Sequence, residues 1–506
     1  MTLSGKPTSF WLDSTLETEY PAFTEAINVD VAIVGAGITG LTAAYLLKQA
    51  GKTVAVVEAE NIASGASGHT TAKVTSLHQL IYKDLIDSIG KEKARLYGES
   101  NQAAVEFVAA TVKNEQIDCD FSRRSTYSFA ESSDNLNKVR SEYEAAVELG
   151  LPATFVEETT LPFKIAGAVE FSNQVQFHVR KYLLRLAEIV AGNGSYIFEH
   201  TRVKTVEEGE PCQVVTERGN LNATDVLVTT HLPILDLGLF FAKAYPKRSY
   251  LIGAAISPEK APEGMYIGVG QNYHSIRTTP YENGLLLLIG GGGHKVGAKN
   301  NTEESYLELE TYARSHFGIE PNEIKYRWSS QDYVSFDKLP YIGKLTPANQ
   351  HIYIATGFSL WGMSKGTLSG MMLADRVLGI DNPWADLYDS LRATPFVTQE
   401  SIKENLDVGM HWIGDRLKGL QSSSVSEVTP GKAKLLTING DKVGVYKDTA
   451  GSVHAVAATC PHLGCIVNWN SAEKSWDCPC HGARFDYEGK LLHGPAVKDL
   501  DKKMVQ

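Results

Sequence analysis

At 506 residues, 43% hydrophobic and 21% charged, the chain has the balance of a soluble globular protein and exceeds the size at which one hydrophobic core keeps growing, so it should divide into domains. Its net charge of −11 argues against a broad nucleic-acid-binding surface. No uncharged apolar stretch approaches the roughly 18 residues of a membrane span, and Met1 to Tyr20 lacks the apolar region of a secretory signal, so a cytoplasmic protein is expected, with peripheral membrane contact left open.

Residues 1–28 read as an N-terminal segment. The apolar run Val29-Asp-Val-Ala-Ile-Val34 is rich in β-branched residues and reads as a strand. It leads into Gly35-Ala-Gly37-Ile-Thr-Gly40, then a helix from Leu41 to Ala50, a stop at Gly51 and a second strand, Thr53 to Val57, ending at Glu58. This order is the βαβ dinucleotide fingerprint. Gly35 makes the turn, Gly37 lets backbone approach a pyrophosphate, Gly40 lets helix and strand pack, and Glu58 reaches a ribose hydroxyl. FAD and NAD share the fingerprint, and no second complete one occurs between residues 40 and 425. The run Leu285 to Gly293 lacks the third glycine and reads as a strand followed by a flexible loop.

The small-residue loop Ile62 to Thr71, with Ser67, Gly68 and His69, suits close approach to a cofactor. Further on come Arg202-Val203, the strand Asp225 to Thr229, the stretch Asp337-Lys-Leu-Pro340-Tyr-Ile-Gly343, and the segment His351 to Gly357 and Gly362, followed by Gly366 and a helix through Leu378. Taken together, residues 29–380 resemble the D-amino-acid-oxidase-like FAD-dependent oxidoreductases. The resemblance implies an α/β (α+β) Rossmann-type FAD-binding domain, built from about 29–75, 195–232 and 325–380, with a β-rich substrate domain interleaved.

It also implies FAD contacts at Val203, Thr229, Gly357 and Gly362, where a helix start stabilises negative charge on the flavin. In the dimethylglycine and sarcosine dehydrogenase branch, a histidine at the offset of His69 bonds covalently to flavin. A noncovalent contact or a capping histidine is the favoured alternative, because the flanking residues differ. Arg277 is a candidate for pairing with a substrate carboxylate, as an arginine does in many relatives. His274, His294, Lys295, Tyr250 and Lys365 are weaker candidates for the same cavity. Cys119 and Cys212 read as plain buried thiols.

Gln399 to Leu420 carries apolar residues at helical spacing, and the polar stretch Gln421 to Glu427 follows; 381–425 is expected to be a connecting helix and linker. Beyond it, Lys434 to Ile438, Asn439-Gly440 and Val443 to Tyr446 predict a hairpin, opening a small β domain over 426–506. That domain holds Cys460-Pro-His462-Leu-Gly-Cys465 and Cys478-Pro-Cys480-His481-Gly482. Two thiolates and two imidazoles suit a [2Fe–2S] centre, with Cys460 and Cys478 on one iron and His462 and His481 on the other. A structural zinc site is the alternative, but zinc spacings lack the extra cysteine in each loop.

This part resembles the Rieske iron–sulfur family over about 428–500, as do Phe485 to Gly489 and His493-Gly494-Pro495-Ala496, the strand and proline-bearing loop over the cluster. The resemblance implies a disulfide between Cys465 and Cys480. It also marks a departure: high-potential relatives carry serine and tyrosine where this chain has Ala483 and Phe485. The lost hydroxyls predict a potential in the lower part of the roughly −150 to +300 mV Rieske range.

The combined expectation is a dehydrogenase that oxidises a small amine or amino acid at FAD and passes electrons through the cluster to an external acceptor. The alternative is a relay or reductase exchanging electrons between protein partners and the flavin.

Overall fold

The structure, a computed structural model, describes residues 3–299, 301–392 and 424–505. The predicted connecting helix Gln399 to Leu420 lies outside them.

The expected strand, turn, helix and strand at the front of the chain form as Asn28–Val34, Ile38–Gln49 and Val54–Val57. Val31, Ile33, Val54 and Val56 are wholly buried, as the apolar runs require of a parallel sheet covered on both faces. In that sheet the strands lie in the order Tyr341–Lys344, Ile352–Thr356, Gly219–Val228, Asn28–Val34, Val54–Val57 and Tyr196–Phe198, all parallel except the first. The helix Ile38–Gln49 packs closely on Gly362–Leu378. A Cβ at Gly370 would lie 2.7 Å from the Thr39 carbonyl, and one at Gly366 2.7 Å from Ile38, so small residues set that approach.

A second, largely antiparallel sheet has ten strands, with Ala244–Ile256, Gly284–Lys295 and Ile324–Ser335 as its long members. The flexible loop expected after Leu285 does not form. Gly290 to Gly293 continue the strand, because Gly290 and Gly291 pair with Leu251 and Tyr250. The N-terminal segment adds an edge strand, Lys6 opposite Tyr326 and Pro7 opposite Arg327. This α/β fold with an interleaved β-rich sheet is the class expected.

The C-terminal part is all β. Ala433–Ile438, Asp441–Lys447 and Val453–Ala457 form one meander, and Asn468–Asn470, Ser475–Asp477, Arg484–Asp486 and Leu491–His493 the other. Asn439 and Gly440 adopt φ of 52° and 84°, the positive values that a two-residue hairpin turn of this type needs. Trp476 is fully buried against Gly444, where a Cβ would come within 2.9 Å of the indole. Among the described residues no helix is long and apolar enough to cross a membrane.

Candidate active site and cluster site

A cavity of about 730 Å³ runs from the first glycine turn to the second sheet, and the C-terminal domain closes part of it. At its front end Gly35 has φ +106°, and a Cβ there would sit 2.9 Å from the Thr229 carbonyl. Gly37 lines the cavity and precedes the helix Ile38–Gln49, whose first amides lack intrahelical acceptors, so that those beyond Ile38, which donates to Ser67, are left for an anion. Gly40 lines nothing. Its role is packing, since a Cβ would fall 2.0 Å from the Gly35 carbonyl. Glu58 faces the cavity and accepts from the Ala36 and Glu60 amides at 2.8 and 3.0 Å; burial raises its pKa, while those amides oppose the rise. Val203 and Thr229 line the same end, and Thr229 Oγ1 bonds the Val34 carbonyl at 2.9 Å.

The His69 loop is held by its own carbonyls. Trp328 Nε1 donates to His69 O at 3.0 Å, Trp11 Nε1 to Thr70 O at 2.7 Å, and Arg277 Nη1 to Thr71 O and Ala72 O at 3.0 and 2.7 Å. Ser67 lines the cavity and its Oγ accepts from the Ile38 amide at 3.0 Å. Gly68 does not line it. A Cβ there would meet the Ala63 carbonyl at 2.0 Å, so glycine allows the tight turn. His69 faces the cavity, with Nδ1 tied to Gly65 O at 2.9 Å, and burial lowers its pKa. Deeper in, Lys73 Nζ donates to Tyr266 O at 2.7 Å and Ser275 Oγ at 2.6 Å. Burial, with Arg277 adding repulsion, holds its pKa well below the ordinary lysine value. At the far side Trp361, Gly362 and Met363 present the start of the helix Gly362–Leu378, while Gly357 stands behind it at φ +78°.

Arg277 is not at the cavity surface. Its guanidinium is buried and spent on backbone carbonyls, so it positions the His69 loop instead of meeting a substrate. Of the weaker candidates only Tyr250 lines the cavity. His294 bonds Tyr250 from behind at 3.0 Å, His274 stacks on Tyr312 at 3.7 Å, and Lys365 donates to Lys338 O at 2.8 Å. Cys119 and Cys212 are buried thiols, and burial pushes Cys119 up to about 12.

The second site sits in the two loops of the C-terminal domain. Cys465 and Cys480 form the expected disulfide, with Cα atoms 6.5 Å apart. The sulfurs of Cys465, Cys478 and Cys480 cluster within 4.8 Å, but disulfide sulfurs are poor ligands, which leaves Cys478 with Cys460 as the free thiols. These two hydrogen-bond each other, which eases ionisation of Cys478 and opposes that of Cys460. The rings of His462 and His481 meet edge to face at 5.0 Å, and the Nδ1 atoms of both are buried without a hydrogen-bond partner among the described residues. A buried nitrogen of that kind is costly unless it binds something, and two such nitrogens beside two thiols are a ready metal donor set. Burial, then the neighbouring His462, lowers the pKa of His481 to about 3, so it stays neutral as a ligand must.

The first module packs directly on this site. Asp236 Oδ1 meets His462 Nε2 at 2.7 Å, and the Phe241 ring lies 4.9 Å from that of His481. Tyr333 donates to His481 O at 3.0 Å. Gln331, a wall residue of the cavity, donates to Gly482 O at 2.8 Å. None of these four residues carries a motif, and no spacing in the sequence pairs them with the cluster loops.

A family model described as FAD dependent oxidoreductase matches residues 30–376, and one described as Rieske [2Fe-2S] domain matches 420–503. This chain belongs to the FAD-dependent oxidoreductase family. The FAD-dependent oxidoreductase is 37% identical over 98% of its length to a protein described as putative Rieske 2Fe-2S iron-sulfur protein YhfW of Bacillus subtilis, covering 97% of it. It is also 25% identical, over 74% of its length and 90% of the other's, to the gamma-glutamylputrescine oxidoreductase of Escherichia coli. Among solved structures, glycine oxidase from Geobacillus kaustophilus shares the fold at a TM-score of 0.61, with 19% identity, over 72% of this chain and 99% of that one. The oxidoreductase therefore takes FAD, which fits the glycine cradle at Gly35 and Gly37, and a [2Fe–2S] cluster, which fits the Cys460, His462, Cys478 and His481 donor set.

Proposed function

We propose that this oxidoreductase is a dehydrogenase of a small amine or amino acid that sends its electrons to the Rieske cluster and on to an external acceptor. One observation carries the reading: Gln331 belongs to the wall of the flavin-side cavity and also bonds the backbone next to the ligand His481, so the two sites are one side chain apart. Bound FAD supplies a two-electron acceptor there, and the cluster a one-electron carrier.

The protein's own part is binding, proton handling and shielding. Lys73 Nζ gives two protons to fixed acceptors and, with its depressed pKa, suits accepting the proton that an ammonium substrate must lose before its C–H bond breaks. Glu58, the Gly35 to Ile38 turn and the helix starting at Gly362 are placed to hold the cofactor, and the C-terminal domain covers the cavity against water. The likeness to a gamma-glutamylputrescine oxidoreductase supports an amine or amino acid as substrate class.

Anaerobic titration with a panel of amines and amino acids tests this reading. Bleaching of the flavin followed by the paramagnetic signal of the reduced cluster supports it. Reduction by a reduced protein partner alone makes the chain a relay or reductase, and rapid peroxide release with an unreduced cluster makes it an oxidase.

A further inference from the structure

The C-terminal domain contributes three charged side chains to the cavity wall, Glu473, Arg484 and the exposed Lys490. Arg484 is anchored by Nε to Asp477 Oδ1 at 3.1 Å and by Nη2 to Ser475 Oγ at 3.2 Å, while Nη1 has no hydrogen-bond partner among the described residues. Glu473 Oε1 accepts from Tyr306 at 2.8 Å, and its Oε2 lies 3.9 Å from Arg484 Nη2. Tyr250, Ser275 and Ser329 of the antiparallel sheet and the loop residue Tyr273 line the same cavity, and Tyr250 packs at 5.0 Å on the Tyr306 that bonds Glu473. The charges of Arg484 and Glu473 act on both His69 and Tyr250, which places the pair between the flavin-side loop and that sheet.

Charge balance decides what such a wall recognises. Behind it, Arg248 of the first module sits 3.5 Å from Asp477, so Arg248 and Arg484 face Asp477 and Glu473 with no net charge. A balanced group that presents a cation and an anion side by side, with Lys490 adding a second cation to the same wall, matches a zwitterion better than a bare amine. Among the described residues the other arginine lining the cavity is Arg202, bonded to Glu60 at 2.8 Å beside Glu58 and Val203 at the opposite end, and Arg277 is buried away from the surface.

We propose that Arg484 and Glu473 recognise a free amino acid, the guanidinium taking the carboxylate and the Glu473 carboxylate taking the ammonium. The domain that carries the cluster is then also half of the substrate site. This rests on the amine or amino-acid reading above and narrows it to substrates bearing both groups.

The test compares amino acids with their decarboxylated partners: glycine with methylamine, L-proline with pyrrolidine, and L-leucine with isoamylamine. Binding to the holoenzyme is measured by calorimetry under nitrogen, with the cluster's paramagnetic signal as the check of integrity. The wild type is expected to prefer the amino acid of at least one pair by about 10- to 100-fold, the range of one charge-assisted contact. Arg484→Gln leaves Asp477 paired with Arg248 and should bring that preference to within about 3-fold. Arg484→Lys keeps a cation against Asp477 but loses the planar fork, and should cost about 10-fold of the preference. Glu473→Gln should weaken amino acid and amine alike. If R484K and R484Q both keep the wild-type preference, the assignment is overturned while the dehydrogenase reading stands. If the wild type binds neither member of any pair and none reduces its flavin, that reading falls and takes this one with it.

Discussion

Ala483 and Phe485 are wholly buried beside the cluster loops and offer no hydroxyl, so two donors that would favour the reduced, more negative cluster are absent. The carboxylate of Asp236 against His462 adds negative charge nearby and acts in the same direction. A hydrogen bond worth about 1–2 kcal/mol to the reduced form corresponds to about 40–90 mV for one electron. Redox titration followed by electron paramagnetic resonance should therefore show Ala483→Ser and Phe485→Tyr each raising the potential by about that amount, and Asp236→Asn raising it as well. No shift in any of the three would mean that the potential is set elsewhere. At His69 the ring bonds back to the carbonyl of Gly65 at the start of its own turn, which is the behaviour of a capping residue. Acid precipitation is accordingly expected to leave the yellow colour in the supernatant; colour kept in the pellet and lost in His69→Ala would establish a covalent flavin.

At the level of elements, the glycine turn and the two helices that flank it decide whether the cofactor site exists. Gly40→Ala would push a methyl group to 2.0 Å from the Gly35 carbonyl, which neither the strand nor the helix can yield to without moving the turn. The variant should lose about 1–3 kcal/mol of stability and most of its FAD, read as a lower urea midpoint and a smaller flavin-to-protein absorbance ratio. Elements of this kind were legible in the chain because their signals are local. The βαβ order at residues 28–58, the Asn439-Gly440 turn and the two cysteine loops each follow from residues adjacent in sequence. Composition misleads where a partner at a distance decides. Gly290 to Gly293 look like a loop by composition, yet pairing with Ala244–Ile256 keeps them in a strand. The helix expected near Gly366 begins a turn earlier, at Gly362, beside the cavity.

Across the whole molecule, the parts that could not be read are those made by two modules meeting. Arg277 had the right chemistry for a substrate carboxylate, but Thr71 and Ala72 consume it, whereas Arg484 had no motif and comes to the cavity only because the C-terminal domain docks there. The centre of that docking is Asp477, buried between Arg484 of its own domain and Arg248 of the other, with Asn470 and Ser475 donating at 2.9 and 2.7 Å. Burial opposes its ionisation, but the two arginines outweigh it and hold the carboxyl at about 2, below its ordinary 3.8. A depressed carboxyl stabilises the folded form fully above the unfolded value and loses that contribution as pH falls through the folded one, here over roughly pH 4 to 2, and the amount is about 2 kcal/mol. Because the pair is buried, added salt should screen it little. Protection from hydrogen exchange at Gln331 to Tyr333, against which the C-terminal domain rests, measured against the unstructured rate at each pH, should fall across that window in the wild type. In Asp477→Asn that protection should be low already and flat with pH; an unchanged profile in the variant would place the hold on the interface in other contacts, such as Tyr306 to Glu473 and Thr302 to Asn470.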